Sequence, residues 1–362
     1  MAKEFRKFYR VSFLLLTLFI CSGVTAQDYK TVKPKKNDGI YSLLRRNGLS
    51  PQVYEAEFIK LNKKSLGKNN ALYADRSYKL PNKNTSTATA AKEPAKNTEN
   101  NTVKEDSIKK PASNAVKEET KKTNNLFGSK YKDVTIKDNS LKGAVFYLVS
   151  GHGGPDPGAV AYHGKHMLCE DEYAYDVTLR LARRLMEHNA TVYMIIQDKN
   201  DGIRDDSILA HDKDEVCYPN LTIPLNQKKR LEQRKDAINA LNKKHKEKYQ
   251  RAIFVHIDSR SKKENIDVFF YHKSGSAEGK RMAQSMHRTF GEKYKRHQPG
   301  RGYNGTISTR NLFVLNNTVP PAVFIELGNI QHQRDLQRFM IVNNRQAMAN
   351  WLAESLIKDY NR

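Results

Sequence analysis

Cysteine is nearly absent from this chain of 362 residues: it occurs three times, and Cys21 falls within the first 26 positions. The remaining two, Cys169 and Cys217, exclude a disulfide framework, although in an oxidising compartment they could pair with each other. Cys169 reads as a small apolar residue packed in the interior, with metal ligation as the alternative. Acidic residues are also in deficit, 39 against 63 lysines and arginines, which leaves a formal charge of +24. That charge is spread along the whole chain and suits an anionic polymer, of which the bacterial cell wall is one. Nucleic acid is not the expected partner, because the chain carries no zinc finger, no aromatic–basic RNA motif and no clear helix-turn-helix. Long apolar runs are missing with one exception, "VSFLLLTLFI" at residues 11–20. It is short for a transmembrane helix. Lys3, Arg6, Lys7 and Arg10 precede it and the small residues of "SGVTA" follow, so residues 1–26 read as a secretory signal cut after Ala26. The bulk of Ile20 argues against lipid attachment at Cys21. The expectation is an exported chain, in the periplasm or on the cell wall, without a stable membrane anchor.

Three segments follow the signal. Residues 27–81 open on the strand-like "YKTVK" and continue with a helical pattern in which Ile40, Leu43 and Leu44 share a face. "RNGLSP" marks a turn and a new helix start at Ser50 and Pro51; that helix ends near Asn62, and "ADRSYKLP" reads as a closing strand. This β-α-α-β block resembles a LysM domain in its opening strand, "GIYSLLRRNGLS", "FIKLNKKS" and "LYADRSYKLP", although "KNDG" replaces the family's Gly-Asp-Thr turn. The resemblance implies attachment to peptidoglycan. Residues 82–127 are rich in Lys, Thr, Asn, Glu and Ala and too poor in aromatics to bury a core, so they read as a disordered tether.

Residues 128–362 alternate strand and helix. Strands are expected at Ala144–Val149, Thr191–Gln197, Arg251–Ile257, Asp267–Tyr271, Leu312–Leu315 and Ala322–Leu327. Helices are expected at Asp171–His188, Gln227–Lys246, Ala277–Tyr294 and a last one ending near Tyr360. Alternation on this scale predicts an α/β fold: a mixed, largely parallel sheet with helices on both faces. Ligands in such folds sit beyond the carboxyl ends of the strands. Three apolar runs deliver an ionisable residue there: "AVFYLVSGHGG" ends on His152, "RAIFVHIDS" on His256 and "PPAVFIELGN" on Glu326. Glu170 opens the helix "EDEYAYDVTLRLARRLMEH", where Asp171 and Glu172 compete with it for any role.

Each residue has a bland reading as well. His152 can be incidental to a glycine-rich turn, Glu170 can serve the helix dipole, and His256 can be a satisfied core histidine. Glu326 is the hardest to explain structurally, since a carboxylate closing a buried run needs a partner or a function. Taken together, two histidines and a glutamate can hold zinc with one position open, and a second glutamate can take a proton from water.

These stretches, in this order, resemble the zinc-dependent N-acetylmuramoyl-L-alanine amidase family, from "VFYLVSGHGGPDPGAV" through "EDEYAYDVTLRLARRLMEHNATVYM" and "AIFVHIDS" to "NLFVLNNTVPPAVFIELGN". The resemblance implies Zn2+ held by His152, Glu170 and His256, catalysis by Glu326, and peptidoglycan as substrate. Val149 and Ser150 stand where the family has Asp-Pro, and Ile257 and Asp258 where it has Ala-Asn. Asp258 thus becomes a candidate for adding charge near the metal, and Arg310 for steering the peptide's carboxylates, with a surface salt bridge as its alternative. Extra sequence at Asn200–Asn220 is expected to be a loop on the substrate side, a lid or specificity element on which an activator protein could act. His211 within it reads as a solvated loop histidine, with metal ligation as the alternative.

Overall fold

The computed structural model describes residues 29–35, 38–49, 51–67, 70–82, 120–245, 248–260 and 265–362. The expected signal, Ser50 and residues 83–119 of the expected tether lie outside them. The chain divides into two compact units, Met1–Lys96 and Asn97–Arg362.

In the first unit β1 (Thr31–Val32) leads to α1 (Ile40–Arg46), α2 (Pro51–Asn62) and β2 (Tyr78–Lys79). β1 and β2 pair antiparallel. The shared helical face of Ile40, Leu43 and Leu44 meets Phe58, Tyr78 and Leu80 in a small core. Asn62 pins the end of α2 to β2: its amide nitrogen donates to Lys79 O at 2.8 Å, and its amide oxygen accepts from Lys79 N at 2.8 Å. These reciprocal bonds satisfy a buried polar side chain and close the module.

The second unit begins with an antiparallel ribbon, β3 (Lys121–Thr123) and β4 (Asp133–Thr135). The expected tether reached residue 127, yet Phe127 is fully buried in the main core. Phe127, with Leu126 packed against the same core and β3 paired to β4, brings residues 120–127 into the fold. After them come β5 (Ala144–Ser150), β6 (Val160–His163), β7 (His166–Cys169), α3 (Glu170–Glu187), β8 (Thr191–Met194) and β9 (Ile196–Gln197). β10 (Val216–Cys217), β11 (Leu221–Thr222), α4 (Gln227–Lys244), β12 (Tyr249–Asp258), β13 (Phe269–His272) and α5 (Ala277–His297) follow. The chain ends with β14 (Thr306–Thr309), α6 (Phe313–Asn317), β15 (Ala322–Asn329), α7 (Gln333–Met340) and α8 (Val342–Tyr360).

Six strands form the central sheet in the order β14-β13-β15-β12-β5-β8. β15, β12, β5 and β8 run parallel, while β13 meets β15 antiparallel. Side chains of a strand alternate between its faces. Phe146, Leu148, Ile253, Val255, Val323 and Ile325 therefore pack in the core that holds residues of α3, α5 and α8. Val145, Tyr147, Val149, Ala252 and Phe254 enter a second core with residues of α4 and α6. The expected mixed, largely parallel sheet between helices is what the chain forms.

Leu312–Leu315 is not a strand as expected. It leads into α6, whose Val314 and Leu315 are buried in the second core. Short apolar runs carry no periodicity that separates strand from buried helix. Among the described residues no helix is long and apolar enough to cross a membrane.

Candidate functional site

Parallel pairing brings the strand ends to one edge. Val255 of β12 lies opposite Ser150 of β5, and His256 lies opposite Glu326 of β15. His152 follows two residues beyond the end of β5, after Gly151, whose N–H donates to Val255 O at 2.9 Å. A Cβ on Gly151 would stand 2.0 Å from Cε1 of His256, so only glycine lets the two imidazoles approach. Their ring centroids are 5.0 Å apart, nearly perpendicular at 83°. Gly158 makes a second such demand. Its φ is +66°, and a Cβ there would lie 2.6 Å from Glu170 Oε2 and 2.7 Å from the His152 ring.

The hairpin β6–β7 delivers Glu170 to the start of α3. Its Oε2 accepts from Ala159 N at 2.8 Å, and its Oε1 accepts from Ile257 N at 2.9 Å. His256 Nδ1 stands 3.0 Å from Oε1, and His152 Nε2 stands 3.4 Å from Oε2. One ligating atom each from His152, Glu170 and His256 lies within 4.8 Å of the others. Burial opposes ionisation of Glu170, but the His256 hydrogen bond and the charges of His152 and His256 outweigh it and hold its carboxyl below the usual range. Burial pushes His256 down, toward the neutral form a metal ligand needs. Nδ1 of His152 meets Asp156 Oδ2 at 2.9 Å, which orients the ring and leaves Nε2 pointing to Glu170. Two imidazoles and an anionic carboxylate, one imidazole backed by a second carboxylate, make a donor set that fits catalytic zinc.

Glu326 differs from its neighbours. It is 8% exposed, and its Oε2 has no hydrogen-bond partner among the described residues. Burial, then the negative charges of Glu170 and Asp258, push its carboxyl well above the usual range. It borders a cavity of about 270 Å³ whose walls include His152, His256, Phe324, Leu312 and Arg310. Phe324 stacks on His256 with centroids 4.1 Å apart, so the apolar wall also orients a ring of the site.

Asp258 is not part of the donor cluster. It pairs with Arg260 Nε at 2.6 Å and acts on the site through its charge on Glu326. Arg310 faces the cavity and lies over the Tyr271 ring at 5.0 Å. Three further site residues escaped the sequence reading. Asp156 lies inside "VFYLVSGHGGPDPGAV", four residues from His152. Arg230 and Arg234 are one turn apart on α4, where a buried face cannot be recognised from charge alone. Arg230 Nη2 reaches Asp156 Oδ2 at 2.6 Å, and Arg234 Nη2 donates to His152 O at 3.1 Å. Burial lowers the Arg234 guanidinium to about 10.

The Asn200–Asn220 segment contributes nothing to the walls of this cavity, contrary to the lid expected. Buried arginines hold it instead against α3 and α8. Arg180 and Arg345 share Asp176 at 2.7 and 2.6 Å, and both donate to Arg204 O, at 2.7 and 2.9 Å. The segment also braces the His152 turn, because Glu215 Oε2 accepts from Gly154 N at 2.6 Å. His211 is not solvated: its side chain is 12% exposed and faces Asp171 and Glu172. Cys169 and Cys217 are both buried and unpaired.

A family model described as N-acetylmuramoyl-L-alanine amidase matches residues 147–358, a stretch that begins inside β5 and ends in α8. Solved structures with similarity include the amidase AmiC2 of Nostoc punctiforme, at 17% identity and a TM-score of 0.43 over 61% of this chain and 99% of that one. The CwlD amidase of Clostridioides difficile, solved in complex with the GerS lipoprotein, aligns at 13% identity and TM-score 0.44 over 60% of this chain and 98% of its own. Ami1 from Mycobacterium abscessus aligns at 16% identity and TM-score 0.44, covering 61% and 100%. No curated protein sequence matches. With well over half of its residues matched by the family model, the chain belongs to the N-acetylmuramoyl-L-alanine amidase family, enzymes that hydrolyse peptidoglycan.

Proposed function

We propose that this chain is an exported, zinc-dependent hydrolase that cuts the amide between N-acetylmuramic acid and the L-alanine of the stem peptide. The observation that carries this reading is that Glu326, whose buried Oε2 has no hydrogen-bond partner among the described residues, borders the same cavity as His152 and His256. His152, Glu170 and His256 would hold the zinc. When bound, zinc supplies a Lewis acid for the amide carbonyl and makes water nucleophilic near neutral pH.

The chain's own residues do the proton work. Glu326 takes a proton from the attacking water, whose oxygen bonds to the lactyl carbonyl carbon. As the C–N bond breaks, Glu326 returns that proton to the departing amine of L-alanine. An elevated carboxyl pKa suits both halves of this cycle, since the group must accept a proton readily and release it again. Asp156 and Arg230 keep the His152 ring in place. Phe324 and Leu312 keep the cavity wall apolar, and Arg310 offers a cation to carboxylates of the stem peptide.

The LysM-like block would fix the enzyme to glycan, and the polar tether would hold the catalytic unit near its substrate at high effective concentration. Daughter-cell separation or wall turnover would be the setting, in the periplasm or at the wall. A partner acting on Asn200–Asn220 would reach the site through Glu215, which braces the turn next to His152.

Incubating zinc-loaded protein with purified sacculi, beside Glu326→Ala, and weighing the products tests the proposal. Free stem peptides with an unblocked L-alanine amine, made only by the unaltered protein, are expected. Fragments cut within the stem would instead indicate a peptidase. No release despite bound zinc would indicate a wall-binding scaffold.

A further inference from the structure

The residues on either side of Glu170 belong to a different cluster. Glu170 turns toward His152 and His256, whereas Cys169, Asp171 and Glu172 meet the Asn200–Asn220 segment. Ligating atoms of Cys169, Asp171 and His211 lie within 4.8 Å of one another, and so do those of Asp171, Glu172 and Glu215. Cys169 is fully buried, and Asp171 is 2% exposed.

Two atoms in this cluster, Asp171 Oδ2 and His211 Nδ1, are sealed from solvent and lack a hydrogen-bond partner among the described residues. They face each other at 3.5 Å, and His211 Nδ1 is also 3.5 Å from Glu172 Oε1. That spacing is long for a hydrogen bond. It is close to the edge of a tetrahedron with metal–ligand bonds of about 2.0–2.1 Å, an edge of roughly 3.3 Å. Charge points the same way. Arg204 is the cation of the cluster, and it is committed to Glu172 and Asp201. Among the described residues, no lysine or arginine forms an ion pair with Asp171 or Glu215. A buried carboxylate left in that condition either takes up a proton or binds a cation.

We propose that Cys169, Asp171 and His211 form a second metal site, of zinc type, that fastens the Asn200–Asn220 segment to the start of α3. The donors select the ion. A thiolate and an imidazole with a carboxylate suit zinc, whereas calcium and magnesium take oxygen ligands. One ligand comes from α3, one from the residue before that helix and one from the segment itself. The ion therefore ties together sequence that the arginine network anchors only farther along. Asp212 N already donates to Glu172 Oε1 at 3.1 Å and Glu215 braces Gly154, so the fastening reaches the His152 turn.

This site does not depend on the catalytic reading, and metal counting separates the two. The full chain, loaded with zinc, dialysed and analysed by elemental mass spectrometry, should hold two zinc ions. His211→Ala and His256→Ala should each hold one. A single zinc that His211→Ala removes would support this site and count against the catalytic one. A single zinc that His256→Ala removes and His211→Ala leaves would overturn the proposal. Cobalt(II) loading of the unaltered protein adds a test that needs no variant to fold. A thiolate-to-cobalt charge-transfer band is expected, kept in His256→Ala and lost in Cys169→Ser. Its absence from the unaltered protein would overturn thiolate ligation.

Discussion

The start of α3 and the end of β15 each supply a buried glutamate to the same site, and the two are treated in opposite ways. Glu170 accepts from two backbone N–H groups and lies 3.0 Å from an imidazole nitrogen. Glu326 has an oxygen with no hydrogen-bond partner among the described residues. Burial acts on both. In the first, hydrogen bonding and the histidine charges outweigh it; in the second, Glu170 and Asp258 add to it. One carboxyl is thereby kept anionic and fixed, as the proposed ligand must be, and the other is held above the usual range, as the proposed proton carrier requires. Identical side chains acquire different chemistry from where the fold places them.

The most severe way to break this contrast is Glu170→Gln. It removes the anionic donor and should abolish both zinc retention and turnover, measured by elemental analysis and by stem-peptide release. Glu326→Gln sharpens the contrast, because it should leave zinc in place and lower kcat by about 10²–10⁴-fold. Asp156→Ala frees the His152 ring without touching either glutamate. A loss of about 10–100-fold in zinc affinity or activity is expected, read by competition with a chelator and by initial rates.

The smallest effect concerns pH. As the proposed base, Glu326 must be deprotonated to act, so activity should rise as pH climbs through its elevated pKa. Asp258 helps to raise that pKa, and Asp258→Asn removes the negative charge. The acid limb of the kcat/KM profile should therefore move to lower pH, with little change on the alkaline side. An unmoved limb would mean that Asp258 is fully screened by Arg260.

Much of this contrast was legible before folding. Strands ending in "SGHGG", "VHID" and "FIELGN" announced ionisable groups at the carboxyl edge of a parallel sheet, and alternation of strand and helix predicted that sheet. Legibility stopped where a residue's meaning depends on a distant partner. Asp171 and Glu172 looked interchangeable with Glu170, since three consecutive acids at a helix start have the same local chemistry. Only the helical rotation of about 100° per residue sends them to different neighbours. His211 looked solvated because its segment is polar, yet arginines on α3 and α8 draw that segment inward. The antiparallel direction of β13 and the helix at Phe313–Asn317 were hidden for the same reason, as both are decided by sheet edges and by the face left to cover.

One paired measurement tests the roles of the two glutamates most directly: zinc content and stem-peptide release, determined on the same preparations of the unaltered protein, Glu170→Gln and Glu326→Gln. The prediction is that Glu170→Gln loses both, while Glu326→Gln keeps its zinc and loses only turnover. Substantial peptide release by Glu326→Gln, or full zinc retention by Glu170→Gln, would contradict the assignment of ligand and proton carrier.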